Sequence, residues 1–179
     1  MQDIGQKLDH TARMMLPGIL TIFLLLLLLL PFGMAGLAYF PPDICLISVY
    51  YWVLFRPSAF PFWFVFLLGI LQDALLGVPL GMSSFLLILF RLLVLSQHRQ
   101  LAKETFWAIW VGFGILSALF SLCAWLLASV FESALLPFQF FLMQWLFTIG
   151  LYPLAHLVFN RLYHYLPPSM SGNHHKPLL

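Results

Sequence analysis

Charge is what this sequence has least of. Lys and Arg number 8 and Asp and Glu 6 among 179 residues, which makes 8% charged against 63% hydrophobic, with a mean hydropathy of +0.99. Soluble domains carry about 25% charged residues. A folded surface facing water cannot be built from so few, so the chain reads as an integral membrane protein. The net charge of +2 comes with no basic stripe interleaved with aromatics, which excludes nucleic-acid binding. The two cysteines, Cys45 and Cys123, lie inside apolar runs and read as small buried hydrophobes rather than a disulfide or metal pair. Catalytic patterns are missing too: there is no HExxH, no GxSxG, no paired carboxylates on one helix face and no glycine-rich phosphate loop. Ser83 and Ser84 have no neighbouring His or Lys to activate them. His156 stands alone on an apolar stretch and reads as a packing residue, while His174 and His175 lack partners at metal-ligand spacing. The expectation is a non-enzyme with no metal and no cofactor.

Long apolar runs are what the chain does have. A helix needs about 20 residues to cross about 30 Å of hydrocarbon. Six candidate transmembrane helices emerge, at residues 15–32, 43–55, 60–76, 80–96, 105–131 and 135–163, the last with Pro153 as a kink. The second is short; either it begins within Pro41-Pro42 or it sits partly buried among longer helices. The first resembles a signal peptide only in its basic flank, Lys7 and Arg13; its apolar run is longer than the usual core of such a peptide and reads as uncleaved. Lys7, Arg13, Arg56, Arg99, Lys103, Arg161 and Lys176 fall on alternate connections or ends, and the intervening connections carry no Lys or Arg. That pattern predicts one bundle with both termini inside. Residues 1–14 are expected to form a cytoplasmic segment, either an interfacial helix or a frayed tail, 15–163 the membrane domain, and 164–179 a flexible cytoplasmic tail.

The segment 72–81, QDALLGVPLG, breaks the apolar monotony with one acid, two glycines and a proline. Gly77-x-Pro79-x-Gly81 predicts a tight outer hairpin between the third and fourth helices rather than a pairing face. Asp73 lies one turn before Gly77 and has two readings: exposure to interfacial water, or an anchor hydrogen-bonded to the broken backbone at 77–81 or to a neighbouring helix. Asp43, after two prolines, reads as a helix cap or as part of an outer partner-facing surface. Arg91 reads as a side chain snorkelling to the inner headgroups, and Glu132 as the outer end of the fifth helix.

Phe40-Pro41-Pro42-Asp43, Tyr50-Tyr51-Trp52, Arg56-Pro57 and Gly69-x-x-x-Asp73-x-x-x-Gly77-x-Pro79-Leu80-Gly81, in this order and in a chain of this length, resemble the rod shape-determining membrane protein family MreD. The specific part covers residues 41–95, about a third of the chain; the outer helices agree in hydropathy alone. The resemblance implies a bacterial inner (cytoplasmic) membrane scaffold of the elongation machinery. Such a scaffold binds the bitopic protein MreC directly and through it links MreB filaments to the peptidoglycan synthase RodA and its class-B penicillin-binding partner. It also implies a fold like the substrate-binding component of energy-coupling-factor transporters, so a vitamin-transporter component is the alternative function. The expected MreC surface is a lipid-exposed groove on the second to fourth helices. There Gly69 and Gly77 would permit close approach, Trp52 and Phe62 would fill space, and Asp43, Asp73, Pro79 and Gly81 would form the outer edge.

Overall fold

The computed structural model describes residues 16–27, 41–133 and 137–163. Within them the fold is all-helical: α1 (Leu16–Leu27), α2 (Ile44–Phe55), α3 (Phe62–Leu76), α4 (Met82–Leu101), α5 (Phe106–Phe131) and α6 (Phe138–Tyr163), with a 3-10 turn at Pro57–Ala59. The two terminal segments of the sequence reading, and the part of the first helix beyond Leu27, lie outside the described residues. Helix α4 departs most from expectation, continuing past residue 96 to Leu101. Hydropathy falls there, but residues 97–100 contain no Gly or Pro to stop the hydrogen-bond ladder. Apolar length and helix length are separate properties.

Helix α2 is the centre of the fold. Asp43 caps it, its Oδ1 accepting the Leu46 N–H at 2.9 Å, and Arg56-Pro57 ends it. Twelve residues at about 1.5 Å each give about 18 Å, well short of a bilayer's hydrocarbon. Every residue from Ile44 to Leu54 is buried, which is what a helix apolar on all sides requires. Around it α3 and α4 form a hairpin, α4 packs on α5 and α5 on α6, while α4 and α6 also flank α2. Tyr50 ties three of these helices together. Its hydroxyl donates to the Ile109 carbonyl of α5 at 2.9 Å, and its ring meets Phe90, Phe113 and Tyr152 at centroid distances of 6.3, 5.1 and 5.7 Å. Phe113 and Tyr152 stack at 4.5 Å, joining α5 to α6. Trp110 and Trp145 stitch the same pair by donating their indole N–H to the Ile149 carbonyl and to Ser117 Oγ, at 3.2 and 3.1 Å.

The outside of the bundle is apolar. Helices α5 and α6 are long and hydrophobic enough to cross a membrane, yet only 17% and 11% of their most apolar stretches is buried within the chain. Val111, Ile115, Val130, Leu154 and Leu157 all point outward. Such continuous exposed hydrophobic surface requires an apolar surrounding. Asp43 and Glu132 border one cleft beside the α3–α4 turn, while Arg56, His98, Arg99 and Lys103 border another, with Glu104 next to Lys103 in the chain.

Arg91 does not snorkel. It is 5% exposed, its Nε donates to the Phe60 carbonyl at 2.8 Å, and its guanidinium lies 3.8 Å over the Phe62 ring. The side chain bridges α4 to the start of α3, because α4 runs on for ten residues past it and Phe60 and Phe62 lie within its reach. Lysine offers neither the Nε donor nor the planar face. Arg91→Lys should therefore lower stability by about 1–2 kcal/mol, read as a lower unfolding midpoint of the purified protein in detergent.

Candidate functional site

The segment 72–81 forms a clamped corner. Gly77 terminates α3 in the left-handed conformation (φ 68°), with its N–H returning to the Asp73 carbonyl, and Gly81 opens α4 at φ 95°. Only glycine adopts both readily, which makes the GxxxG spacing a turn. Inside the turn, the fully buried Asp73 side chain accepts the Gly81 N–H on Oδ2 at 2.7 Å and the Ser83 N–H on Oδ1 at 3.0 Å. Gly81 has no side chain with which to cap α4, and Asp73 does so from the preceding helix. A carboxylate at a helix N-terminus satisfies free N–H groups and complements the positive end of the helix. Of its two sequence readings, the anchor is the one observed.

Just below the turn the two helices meet at backbone distance. A Cβ on Gly69 would stand 2.6 Å from Ser84 N and 2.7 Å from its Oγ. Ser84 Oγ donates to the Phe66 carbonyl at 3.0 Å, sealing the contact. Across the corner, the Asp43 N–H donates to Thr148 Oγ1 at 3.0 Å, Thr148 donates to the Gln144 carbonyl at 2.7 Å, and the Gln72 side chain hydrogen-bonds the Asp43 carboxylate. The N-terminus of α2 is thus tied to both α3 and α6.

A rod shape-determining protein MreD family model matches residues 9–164, nearly the whole chain. The chain belongs to the MreD family. No curated protein and no solved structure matches it. The family resemblance read from residues 40–81 is therefore correct, and with it a membrane protein with a role in rod-shape determination.

The candidate residues of this MreD-family chain divide by what they touch. Trp52 is fully buried, stacked on Phe60 at 6.5 Å and packed on Phe159 at 5.7 Å, so it fills the core of the chain rather than a partner-facing groove. Gly69 and Asp73 are likewise committed, to Ser84 and to the α4 N-terminus. Asp43 is 8% exposed and serves as the α2 cap. Phe62, Gly77 and Pro79 are exposed, and Gly81 is half-buried at the turn. The expected groove on the second to fourth helices needs correction, because α2 is interior and offers no outward face. His156 sits among Tyr51, Phe106 and Tyr152 at ring distances of 5.3, 5.0 and 5.9 Å, a packing position. Cys45 is in the core and Cys123 half-buried, both unpaired.

Ser84, Gln72 and Thr148 complete the corner, and the sequence reading assigned them no part in it. A signal for Ser84 was present: an antiparallel hairpin pivoting at Gly77 pairs positions nearly equidistant from the pivot. Asp73 and Gly81 lie four residues either side, and Gly69 and Ser84 lie eight and seven away. Thr148 carries no such signal, since it comes from a helix far along the chain.

Proposed function

We propose that this MreD-family chain is a six-span protein of the bacterial inner membrane, with both termini cytoplasmic, that works as a non-enzymatic scaffold of the elongation complex. In this reading it binds MreC directly and, through MreC, couples MreB filaments to peptidoglycan synthesis by RodA and its class-B penicillin-binding partner. The family match over residues 9–164 carries the reading. The gathering of Arg56, Arg99 and Lys103 around one cleft, while no described Lys or Arg lines the cleft beside the α3–α4 turn, supports the orientation, since positively charged connections stay on the cytoplasmic side. The scaffold role is supported by how Asp73, Arg91 and Thr148 are used: each is engaged in bonds that hold helices to one another. No support comes from the comparisons for the vitamin-transporter alternative.

The surface offered to the MreC helix then lies on the outward stripe of α3, with Phe62, Trp63, Phe66 and Leu67, and continues to the exposed corner at Gly77, Pro79 and Gly81. Asp43, Trp52, Gly69 and Asp73 support this surface from within. Beside the stripe runs a nearly all-apolar groove of about 400 Å³ against α1, bordered by Gly18 and Ile22. Packing of one apolar helix on another in lipid depends on such shape complementarity. A Trp63→Ala, Leu67→Ala variant should lose about tenfold or more in MreC capture while inserting normally. Unchanged capture would place the interface elsewhere. In a rod-shaped host, depletion of the protein should round the cells, and the same variant should fail to restore rods.

A further inference from the structure

Where α2 and α4 end, a cleft of about 570 Å³ opens between the turn at Pro57–Ala59 and the last turn of α4. Arg56, His98, Arg99 and Lys103 line it, and among the described residues no Asp or Glu does. Glu104 follows Lys103 in the chain but is not part of the lining. Arg56 is buried, whereas Arg99 and Lys103 are exposed. The side chains of Arg99 and Lys103 make no hydrogen bond or ion pair among the described residues. Ser58 adds a second observation. This exposed residue borders the basic cleft and also the apolar groove between α1 and α3, so the two surfaces adjoin. From Pro61 to Leu71 the groove follows α3 for about 15 Å, at about 1.5 Å per residue. That is half of a bilayer's roughly 30 Å of hydrocarbon, the depth of one leaflet. Exposed Trp63 and Trp107 stand at the starts of α3 and α5, shortly after Ser58 and Lys103 in the chain. Tryptophan at helix ends marks the level of the lipid headgroups.

We propose that cleft and groove together bind one anionic phospholipid, its phosphate among Arg56, Arg99 and Lys103 and one acyl chain along α3. The planar fork of arginine matches a phosphate, and basic pockets between membrane helices take such head groups. The chain would lie on Ile22, Phe64, Leu68 and Leu71, between α1 and the outward stripe of α3. A soluble anion would use the cleft and leave the groove empty of any contact. A zwitterionic head would bring an ammonium among three cations, and a wholly apolar molecule would leave those cations without a partner. An anionic amphiphile uses both surfaces and crosses between them at Ser58. Lipid capture needs a membrane but no MreC, so its failure would leave the scaffold reading untouched.

Native mass spectrometry of the full-length protein, released from nanodiscs of equal phosphatidylethanolamine and phosphatidylglycerol, provides the test. Each chain should retain one phosphatidylglycerol, favoured about tenfold or more over phosphatidylethanolamine. An Arg99→Gln, Lys103→Gln variant should lose that preference by a similar factor. Ser58→Trp changes no charge but blocks the junction of cleft and groove, and it should lower retention about as much. Both variants alter exposed side chains, so their unfolding midpoints in lipid-free detergent should stay near the parent value. Excess sn-glycerol 3-phosphate, which carries the anion without a chain, should not displace the bound lipid. Equal retention of the two lipids by the parent protein would overturn the proposal. Displacement by glycerol phosphate would do the same, by assigning the cleft to a soluble anion. Undiminished retention in either folded variant would also end it, leaving only the general attraction of cations for headgroups.

Discussion

Asp73→Ala should be among the most damaging single substitutions in this protein, lowering stability by about 3–5 kcal/mol. The carboxylate accepts two backbone N–H groups of the first turn of α4, at 2.7 and 3.0 Å, and is itself fully buried. Hydrogen bonds to a charged group contribute roughly 1.5–3 kcal/mol each, and both donors would be left unsatisfied in an apolar setting. Gly81 cannot substitute for the lost cap. Asp73→Asn is the informative companion. Its amide keeps one acceptor oxygen but turns an NH2 group toward the other donor, so it should show about half the loss. Unfolding midpoints in detergent for parent, Asn and Ala variants should fall in that order. An Ala variant within about 0.5 kcal/mol of the parent, the range of an ordinary surface substitution, would mean that water or another side chain replaces the clamp.

Gly69→Ala and Gly150→Ala, the same chemical change in two helices, should act in opposite directions. At Gly69 the added methyl would collide with the backbone of Ser84, which cannot swing aside as a side chain would. The α3–α4 hairpin must then open, breaking the Ser84–Phe66 bond and straining the clamp above it. Overpacking of this kind costs about 1–3 kcal/mol or more, and Gly69→Leu should prevent assembly of the hairpin altogether. At Gly150, in α6, a Cβ meets nothing within 4 Å. There the gain in helix propensity should stabilise by about 0.5–1 kcal/mol. Thermal unfolding of the two alanine variants side by side checks the sign. Equal shifts would show that helix propensity, and not the approach of α3 to α4, governs Gly69.

The sequence was most legible where it departed from monotony. Gly77, Pro79 and Gly81 could only be a turn, because their backbone preferences are local and no packing is needed to reveal them. The Asp43 cap was legible for the same reason: two prolines and an acid before an apolar run make a helix start from neighbouring atoms alone. Arg91 was misread because snorkelling depends on where the helix ends and what lies beside it. Those depend on the extra length of α4 and on the position of Phe60 and Phe62 in another helix.

Composition and local punctuation by themselves determined that the chain is helical and apolar and where its hairpin turns. The tertiary structure decided which helix is the centre, that Trp52 and Gly69 are turned into the chain, and that Asp73 joins one helix to the next. The physical reason is the absence of charge noted at the outset. Helices facing water announce their buried side by a polar opposite side. Here the surroundings are as apolar as the core, so α2 and α5 read alike in sequence although one is buried from Ile44 to Leu54 and the other at only a few positions. Only the packing of side chain against side chain tells inside from outside in such a protein.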